Sequence, residues 1–195
     1  MTKFEQVVFE AELTRKTSSM IDELKFLYND RDTFGVVFVN PKSASSAHWI
    51  GDFNNSKKKV VSGFFDDQSV ALKSVLKIDD IALPEGIFVT LNGHQGAKWP
   101  KINERLYAND LMLEDGAFQR LRNIMVDITP VVPENLSATE EEKEAAMAIA
   151  ETIIKDMVAN NWPEPLFGDT GNGASLVYRT DLENSLESIQ IIERG

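Results

Sequence analysis

The stretch NIMVDITPVVPENLSATEEEKEAAMAIA, Asn123–Ala150, joins a strand pattern to a helix pattern and decides the class of fold. Its first part is apolar and β-branched, and two prolines end it, which predicts a strand over about 122–128. Ser137 or Thr139 then precedes three glutamates, and together these predict the N-cap and first turn of a helix. The apolar residues that follow recur at helical spacing: Ala145, Ala146, Ala148, Ile149, Ile153, Ile154 and Val158.

The sequence after this helix predicts two further strands. The segment NNWPEP stops the helix, because proline cannot continue it. PLFGD (165–169) then predicts a short strand and ASLVYRTDL (174–182) a longer one, with a glycine turn between them. The C-terminal part therefore reads as a strand, a helix and a return to strands.

The N-terminal part mixes strand and helix patterns. We predict a helix over 4–29 with a break near Thr17–Ser19, strands at 34–40, 60–67 and 86–92, a short helix over 67–80 capped by Asp66 or Asp67, and irregular loops at 43–59 and 93–103. This order predicts an α+β fold with mixed or antiparallel sheets and flanking helices. One domain over 1–195 is expected, with subdomains of about 1–115 and 116–195.

The 195-residue chain carries 31 acidic and 20 basic residues, a formal net charge of −11. Phosphate contacts dominate nucleic-acid affinity, so we expect only weak binding of DNA or RNA. The absence of cysteine excludes disulfides and thiolate metal sites and is typical of a reducing cytoplasm. No apolar run reaches the ~20 residues of a membrane helix, so a cytoplasmic protein without a membrane partner is expected.

Asp127 lies near the end of the predicted strand, and Thr129 follows two positions later. Strand side chains alternate between faces, so these two are expected to point the same way. Two acids at this spacing hold Mg²⁺ or Mn²⁺, because hard cations prefer carboxylate oxygens. Here the second position is a neutral hydroxyl, so spacing alone favours a turn-capping role for Asp127 before Pro130.

The glycine turn Gly171-Asn172-Gly173 lies between the last two predicted strands. Asn and Gly tolerate positive φ, so a tight turn is a sufficient explanation. Consecutive backbone N–H groups in such a turn also bind anions. The pattern alone is weak support for a phosphate site, since hairpin glycines greatly outnumber phosphate loops.

The histidines and tryptophans form no recognised pattern. His48 and His94 are far apart in sequence, which argues against a histidine metal site or a Ser-His-Asp triad. Trp49 and Trp99 lie in predicted polar loops. Each side chain could stack on a nucleic-acid base or pack in the core, and core packing is favoured. Trp162 is expected to pack the end of the long helix onto the sheet.

Four stretches, in order and with sensible spacing, resemble one family: VSGFFDD, GIFVTLN, NIMVDITPVVPENLSATEEEKEAAMAIA and NWPEPLFGDTGNGASLVYRTDL. They fall within roughly residues 60–185. They resemble the primase–polymerase domains of the archaeo-eukaryotic primase superfamily, of the type at the N-terminus of phage and mobile-element primase–helicases. The resemblance implies an RRM-like catalytic C-terminal half and a template-dependent nucleotidyltransferase that uses Mg²⁺ or Mn²⁺.

This chain differs from the family pattern at the residues to which the resemblance assigns metal and phosphate binding. The resemblance implies an acid-x-acid metal site, of which this chain keeps Asp127 but has Thr129 at the second position. It implies a phosphate-contacting histidine after the glycine turn, where this chain has Ser175. Gly171, Asn172, Gly173 and Ser175 are thus candidate nucleotide contacts. A third acid is expected on a later strand and is not identified before Gly195.

We therefore expect a primase-like domain of a phage or mobile-element replication protein that is degenerate or truncated and weakly active or inactive. One alternative is a non-catalytic module that holds a nucleotide, a primer end or a replication protein on the same fold. Another is an acidic protein that contacts a host protein through its charge. An acid from elsewhere, such as Asp66 or Asp181, would complete the metal site if the fold brought it near.

Overall fold

The computed structural model describes residues 18–30, 32–42, 49–50, 60–93, 106–108, 120–133 and 136–194. The chain divides into two compact units, Met1–Arg120 and Leu121–Gly195. Both contain antiparallel strand pairs and helices, so the predicted α+β class is confirmed. None of the helices in the described ranges combines the length and the apolar character needed to cross a bilayer.

The first unit is built around a five-stranded sheet in the order β2-β5-β3-β1-β4. Its elements are α1 (18–27), β1 (Phe34–Val39), β2 (Trp49–Ile50), β3 (Val60–Phe65), α2 (Gln68–Ala82), β4 (Gly86–Val89) and β5 (Leu106–Tyr107). β1 pairs antiparallel with β3 and β4, β3 pairs antiparallel with β5, and β2 pairs parallel with β5. The three longer strands and α2 confirm the predictions for this half.

Two strands of this sheet were not predicted. Trp49–Ile50 lies within the predicted loop 43–59, which is wrong at these two residues, and Leu106–Tyr107 had no assignment. Strands of two residues have no periodicity of their own, so only their sheet neighbours define them. Most of the two predicted loops and the helix prediction before residue 18 lie outside the described residues.

The core of the first unit follows from simple periodicities. Phe34, Val36 and Phe38 alternate along β1 and are fully buried on one face of the sheet. The buried residues of α2 recur at helical spacing: Ala71, Leu72, Val75, Ile78 and Ala82. Asp67 is the N-cap of α2, and its side chain accepts the N–H of Val70 at 2.9 Å, which confirms one of the two predicted caps.

The second unit has a three-stranded sheet in the order β6-β8-β7. Its elements are β6 (Arg120–Ile128), α3 (Glu140–Ala159), β7 (Leu166–Asp169), β8 (Ala174–Glu183) and α4 (Leu186–Arg194). β7 and β8 pair antiparallel. β6 also runs antiparallel to β8, because Leu121 lies beside Thr180 at one end and Ile128 beside Gly173 at the other.

Helix α3 packs on one face of this sheet. Ala150 of α3 forms a fully buried cluster with Ala174, Leu176 and Tyr178 of β8. The half-buried apolar residues around it include Val126 and Ile128 of β6 together with Met147, Ile153, Ile154 and Met157 of α3. Just after α3, Trp162 meets Tyr178 edge to face with ring centroids 5.7 Å apart, which confirms the predicted packing of the helix end.

Candidate functional site

The fold brings the end of β6 and the glycine turn together. A Cβ atom at Gly173 would overlap the carbonyl oxygen of Ile128 and lie 3.3 Å from the Cα of Thr129. Only glycine therefore fits at position 173, because any side chain would strike the neighbouring strand. Two stretches that were singled out separately in the sequence thus meet at one end of the sheet.

Strand alternation assigns the candidate residues to one face of the sheet. Val126, Ile128, Ala174 and Leu176 all pack toward α3, so the intervening side chains point to the opposite face. We call this opposite face the Asp127 face, and its relevant members are Asp127, Ser175 and Arg179. Asp127 is exposed, whereas Ser175 and Arg179 are half-buried. Arg179 was not predicted as a site residue. It lies four positions after Ser175 on the same strand, and this even spacing indicates that the two side chains share a face.

Thr129 points toward Asp127, as strand alternation predicts. The Thr129 hydroxyl donates to the Asp127 carboxylate, with Oγ1 lying 3.2 Å from both Oδ1 and Oδ2. The position where a second acid would share a cation is thus held by a neutral donor. Asp181 does not replace it, since its carboxylate lies 3.9 Å from the guanidinium of Arg122. Along β6 that position is roughly 16 Å from Asp127, at about 3.3 Å per residue.

Ser175 lies directly against β7. Gly168 is its partner in the β7–β8 pair, and a Cβ atom at Gly168 would lie 2.6 Å from the Ser175 Oγ. Because paired residues share a face, the missing side chain at 168 leaves the space that the serine hydroxyl uses. The hydroxyl therefore belongs to the Asp127 face.

Three backbone donors of the glycine turn, the N–H groups of Thr170, Gly171 and Gly173, are engaged within the turn. The N–H of Gly171 donates to Asp169 Oδ1 at 2.7 Å, and the N–H of Gly173 donates to Thr170 Oγ1 at 3.0 Å. The N–H of Thr170 donates to the carbonyl of Gly173 at 3.1 Å. Gly171 has φ of +87°, the left-handed conformation that favours glycine. A phosphate that used these two glycine N–H groups would have to displace a carboxylate and a hydroxyl.

The turn is also tied to the start of α3, which sequence reasoning missed. Asn172 Oδ1 accepts the N–H of Ala138 at 3.2 Å, and Lys143 Nζ lies 3.0 Å from Asp169 Oδ2. The Gly171 N–H, and secondly Lys143, hold the pKa of Asp169 below its ordinary value. Asp169 pairs with Ala174 and so lies on the α3 side of the sheet, away from the Asp127 face.

At the N-terminus of α3, the N–H groups of Thr139 and Glu142 are satisfied by each other's side chains. Thr139 is the N-cap and forms a capping box with Glu142, which confirms the second of the two predicted caps. The backbone and hydroxyl groups of Thr139 lower the pKa of the Glu142 carboxyl. With glutamates at 140–142, this helix end is a poor place for a phosphate.

Asp127 and Thr129 place one carboxylate and one hydroxyl at this end of the sheet. Magnesium is commonly held by one or two carboxylates together with phosphate oxygens, which Asp127 and a bound nucleotide would supply. A two-metal centre needs bridging acids, and within the described ranges no three Asp, Glu or His residues cluster closely enough to hold a metal. His48, His94 and the lysines at 57–59 lie outside those ranges.

The candidate site residues therefore lie on two faces of the same end of the sheet. Asp127, Thr129 and Ser175 lie near the end of the sheet where Gly173 closes on β6, while Asp169 and Asn172 tie the turn to α3. The chain matches no family model, no curated protein and no solved structure.

Proposed function

We propose that this chain is a primase–polymerase-like protein whose second unit binds one metal–nucleotide complex on the Asp127 face without synthesising strands. The observation that carries the proposal is the contact between Thr129 and Asp127. The Thr129 hydroxyl lies 3.2 Å from both carboxylate oxygens, where the resemblance implies a second acid.

The topology of the second unit supports an RRM-like half. Its elements follow the order β6, α3, β7, β8 and α4, and β8 lies between β6 and β7 in the sheet. This is the order of the first five elements of the β-α-β-β-α-β fold, in which the third strand lies between the first and second. RRM domains bind their ligands on the sheet face opposite their helices, and the face opposite α3 is here the Asp127 face.

The residue types on this face support nucleotide binding more than catalysis. Asp127 is an exposed carboxylate able to hold a cation that also contacts phosphates, and Arg179 adds a positive side chain. Two-metal nucleotidyl transfer requires acids that position both the attacking and the leaving oxygen. A carboxylate paired with a hydroxyl supplies one such ligand, so transition-state stabilisation would be reduced by several kcal/mol.

A strand-synthesis assay tests the absence of catalysis. Wild-type chain is incubated with a primed template, nucleoside triphosphates and Mg²⁺ or Mn²⁺. We expect no metal-dependent extension, and extension that is abolished by Asp127→Ala would overturn the non-catalytic proposal.

Calorimetric titration tests the binding site itself. We expect wild type to bind a nucleoside triphosphate in the presence of Mn²⁺ and Asp127→Ala to lose this binding. Asp156 is a matched exposed acid on α3, so Asp156→Ala should bind as wild type does. Thr129→Asp should bind the Mn²⁺–nucleotide complex more tightly than wild type, because it adds a carboxylate ligand. If neither wild type nor Thr129→Asp binds, the alternative of a protein-binding module on the same fold is favoured.

A further inference from the structure

The dipeptide Asn172-Gly173 combines the two groups that form a succinimide. In this reaction the backbone nitrogen of the following residue attacks the side-chain carbonyl carbon of the asparagine. Glycine presents the least hindered nitrogen because it has no Cβ atom. The only other Asn-Gly pair in the sequence is Asn92-Gly93.

We propose that Asn172 is a site of spontaneous deamidation and that the hydroxyl of Thr170 sets its rate. The Gly173 nitrogen forms a bond to Asn172 Cγ, and the side-chain amide nitrogen leaves as ammonia with the proton that the Gly173 nitrogen gives up. Water then opens the five-membered ring. Cleavage of the bond from nitrogen to Cγ gives aspartate, and cleavage of the bond to the main-chain carbonyl gives an isoaspartyl linkage.

Hydrogen bonds hold both reacting groups in place. The attacking nitrogen, of Gly173, donates its N–H to Thr170 Oγ1 at 3.0 Å. The attacked carbonyl, of Asn172, accepts the N–H of Ala138 through Oδ1 at 3.2 Å. Ring closure requires the nitrogen to turn toward the side chain, so the Thr170 contact must break first. The side chain of Asn172 is half-buried and thus open to water for the second step.

The two products have different consequences for the turn. Aspartate keeps an oxygen that accepts the Ala138 N–H, and it adds a negative charge near Asp169. The isoaspartyl linkage lengthens the main chain by one carbon next to Gly173. Because Gly173 is packed against the carbonyl of Ile128, that extra carbon has no space unless the turn moves away from β6.

Timed incubation followed by peptide mass spectrometry tests the proposal. Wild type, Thr170→Val and Thr170→Ser are incubated folded and in denaturant, and the amide-to-acid mass change at residue 172 is measured over time. We expect slow reaction in folded wild type and in Thr170→Ser, and about two- to tenfold faster reaction in folded Thr170→Val, the factor for losing one hydrogen bond. In denaturant all three should react equally and fastest.

Asn92 serves as an internal reference, and its rate should be the same in wild type and Thr170→Val. Circular dichroism establishes that each variant is folded under the incubation conditions. Equal rates at Asn172 in folded wild type and folded Thr170→Val would overturn the role of Thr170. A folded wild-type rate equal to the denatured rate would show that the turn exerts no restraint, and would also overturn the proposal.

Discussion

The carboxylate of Asp169 lies 3.0 Å from the ammonium of Lys143, and this ion pair links the glycine turn to the first turns of α3. The same carboxylate accepts the Gly171 N–H through its other oxygen. One aspartate thereby shapes the turn and fixes its position against the helix.

Stability should depend on pH through Asp169. Its pKa is lowered in the folded chain, first by the Gly171 N–H and then by Lys143. A lowered pKa means that the ionised group stabilises the fold above its ordinary value of 3.8, and that this contribution is lost as the pH falls through the lower folded value. The Asp169→Asn variant should therefore lose less stability on acidification than wild type. Thermal unfolding of both proteins over a range of pH measures this difference.

Lys143→Met separates the two causes of that shift. Because the Gly171 N–H is the largest single cause and exceeds the opposing effect of burial, the pKa of Asp169 should rise in this variant and still remain below 3.8. Titration of the carboxyl carbon by NMR measures it. A complete return to the ordinary value would show that Lys143 alone is responsible.

Removing the N-cap of α3 should weaken the second unit. The hydroxyl of Thr139 accepts the N–H of Glu142 at 3.2 Å, while the Glu142 carboxylate accepts the N–H of Thr139 at 2.8 Å. Thr139→Ala should lower the free energy of unfolding by about 1 kcal/mol in denaturant titrations. Thr139→Ser keeps an oxygen in place and should stay close to wild type, so equal losses in both variants would argue against a capping role.

The two glycines of the turn should respond differently to alanine. Gly171 has φ of +87° with open space around its Cβ position, so Gly171→Ala should cost about 1 kcal/mol through backbone strain. Gly173→Ala places a methyl group against the Ile128 carbonyl and should cost about 3 kcal/mol. Chemical denaturation measures both, and the prediction fails if Gly171→Ala is the more destabilised.

The contact between α3 and β8 should be intolerant of larger side chains. Ala150 and Ala174 are both fully buried, so Ala150→Leu should destabilise the chain by about 2 kcal/mol through overpacking. Ala148 is exposed on the same helix, and Ala148→Leu should change stability by less than about 0.5 kcal/mol. Similar melting temperatures for the two variants would contradict the close packing of Ala150 against β8.

Elements with strong local signals were predictable, and those defined by tertiary pairing were not. The Thr139 cap, the following glutamates and the apolar period identified α3, and runs of apolar and β-branched residues identified β1, β6 and β8. Strands β2 and β5 are two residues each and had no pattern to find. Helix α4 was also missed, although Ser185 accepts the N–H of Ser188 at 3.2 Å and marks its start.

The candidate site was predictable in part. Strand alternation correctly placed Thr129 beside Asp127, because it depends only on the period of a strand. The contact between Gly173 and Ile128 and the bond from Ala138 to Asn172 join residues far apart in sequence. Such contacts depend on how the strands and α3 pack, which local patterns do not encode.

The close fit between Gly168 and Ser175 links what each position can become. An alanine at 168 would place its methyl group 2.6 Å from the Ser175 Oγ, so that hydroxyl would have to move. A serine-to-glycine change at 175 would remove the obstacle and make the alanine acceptable. Related chains should therefore vary these two residues together, with glycine at 168 favoured wherever the side chain at 175 keeps the position of this hydroxyl.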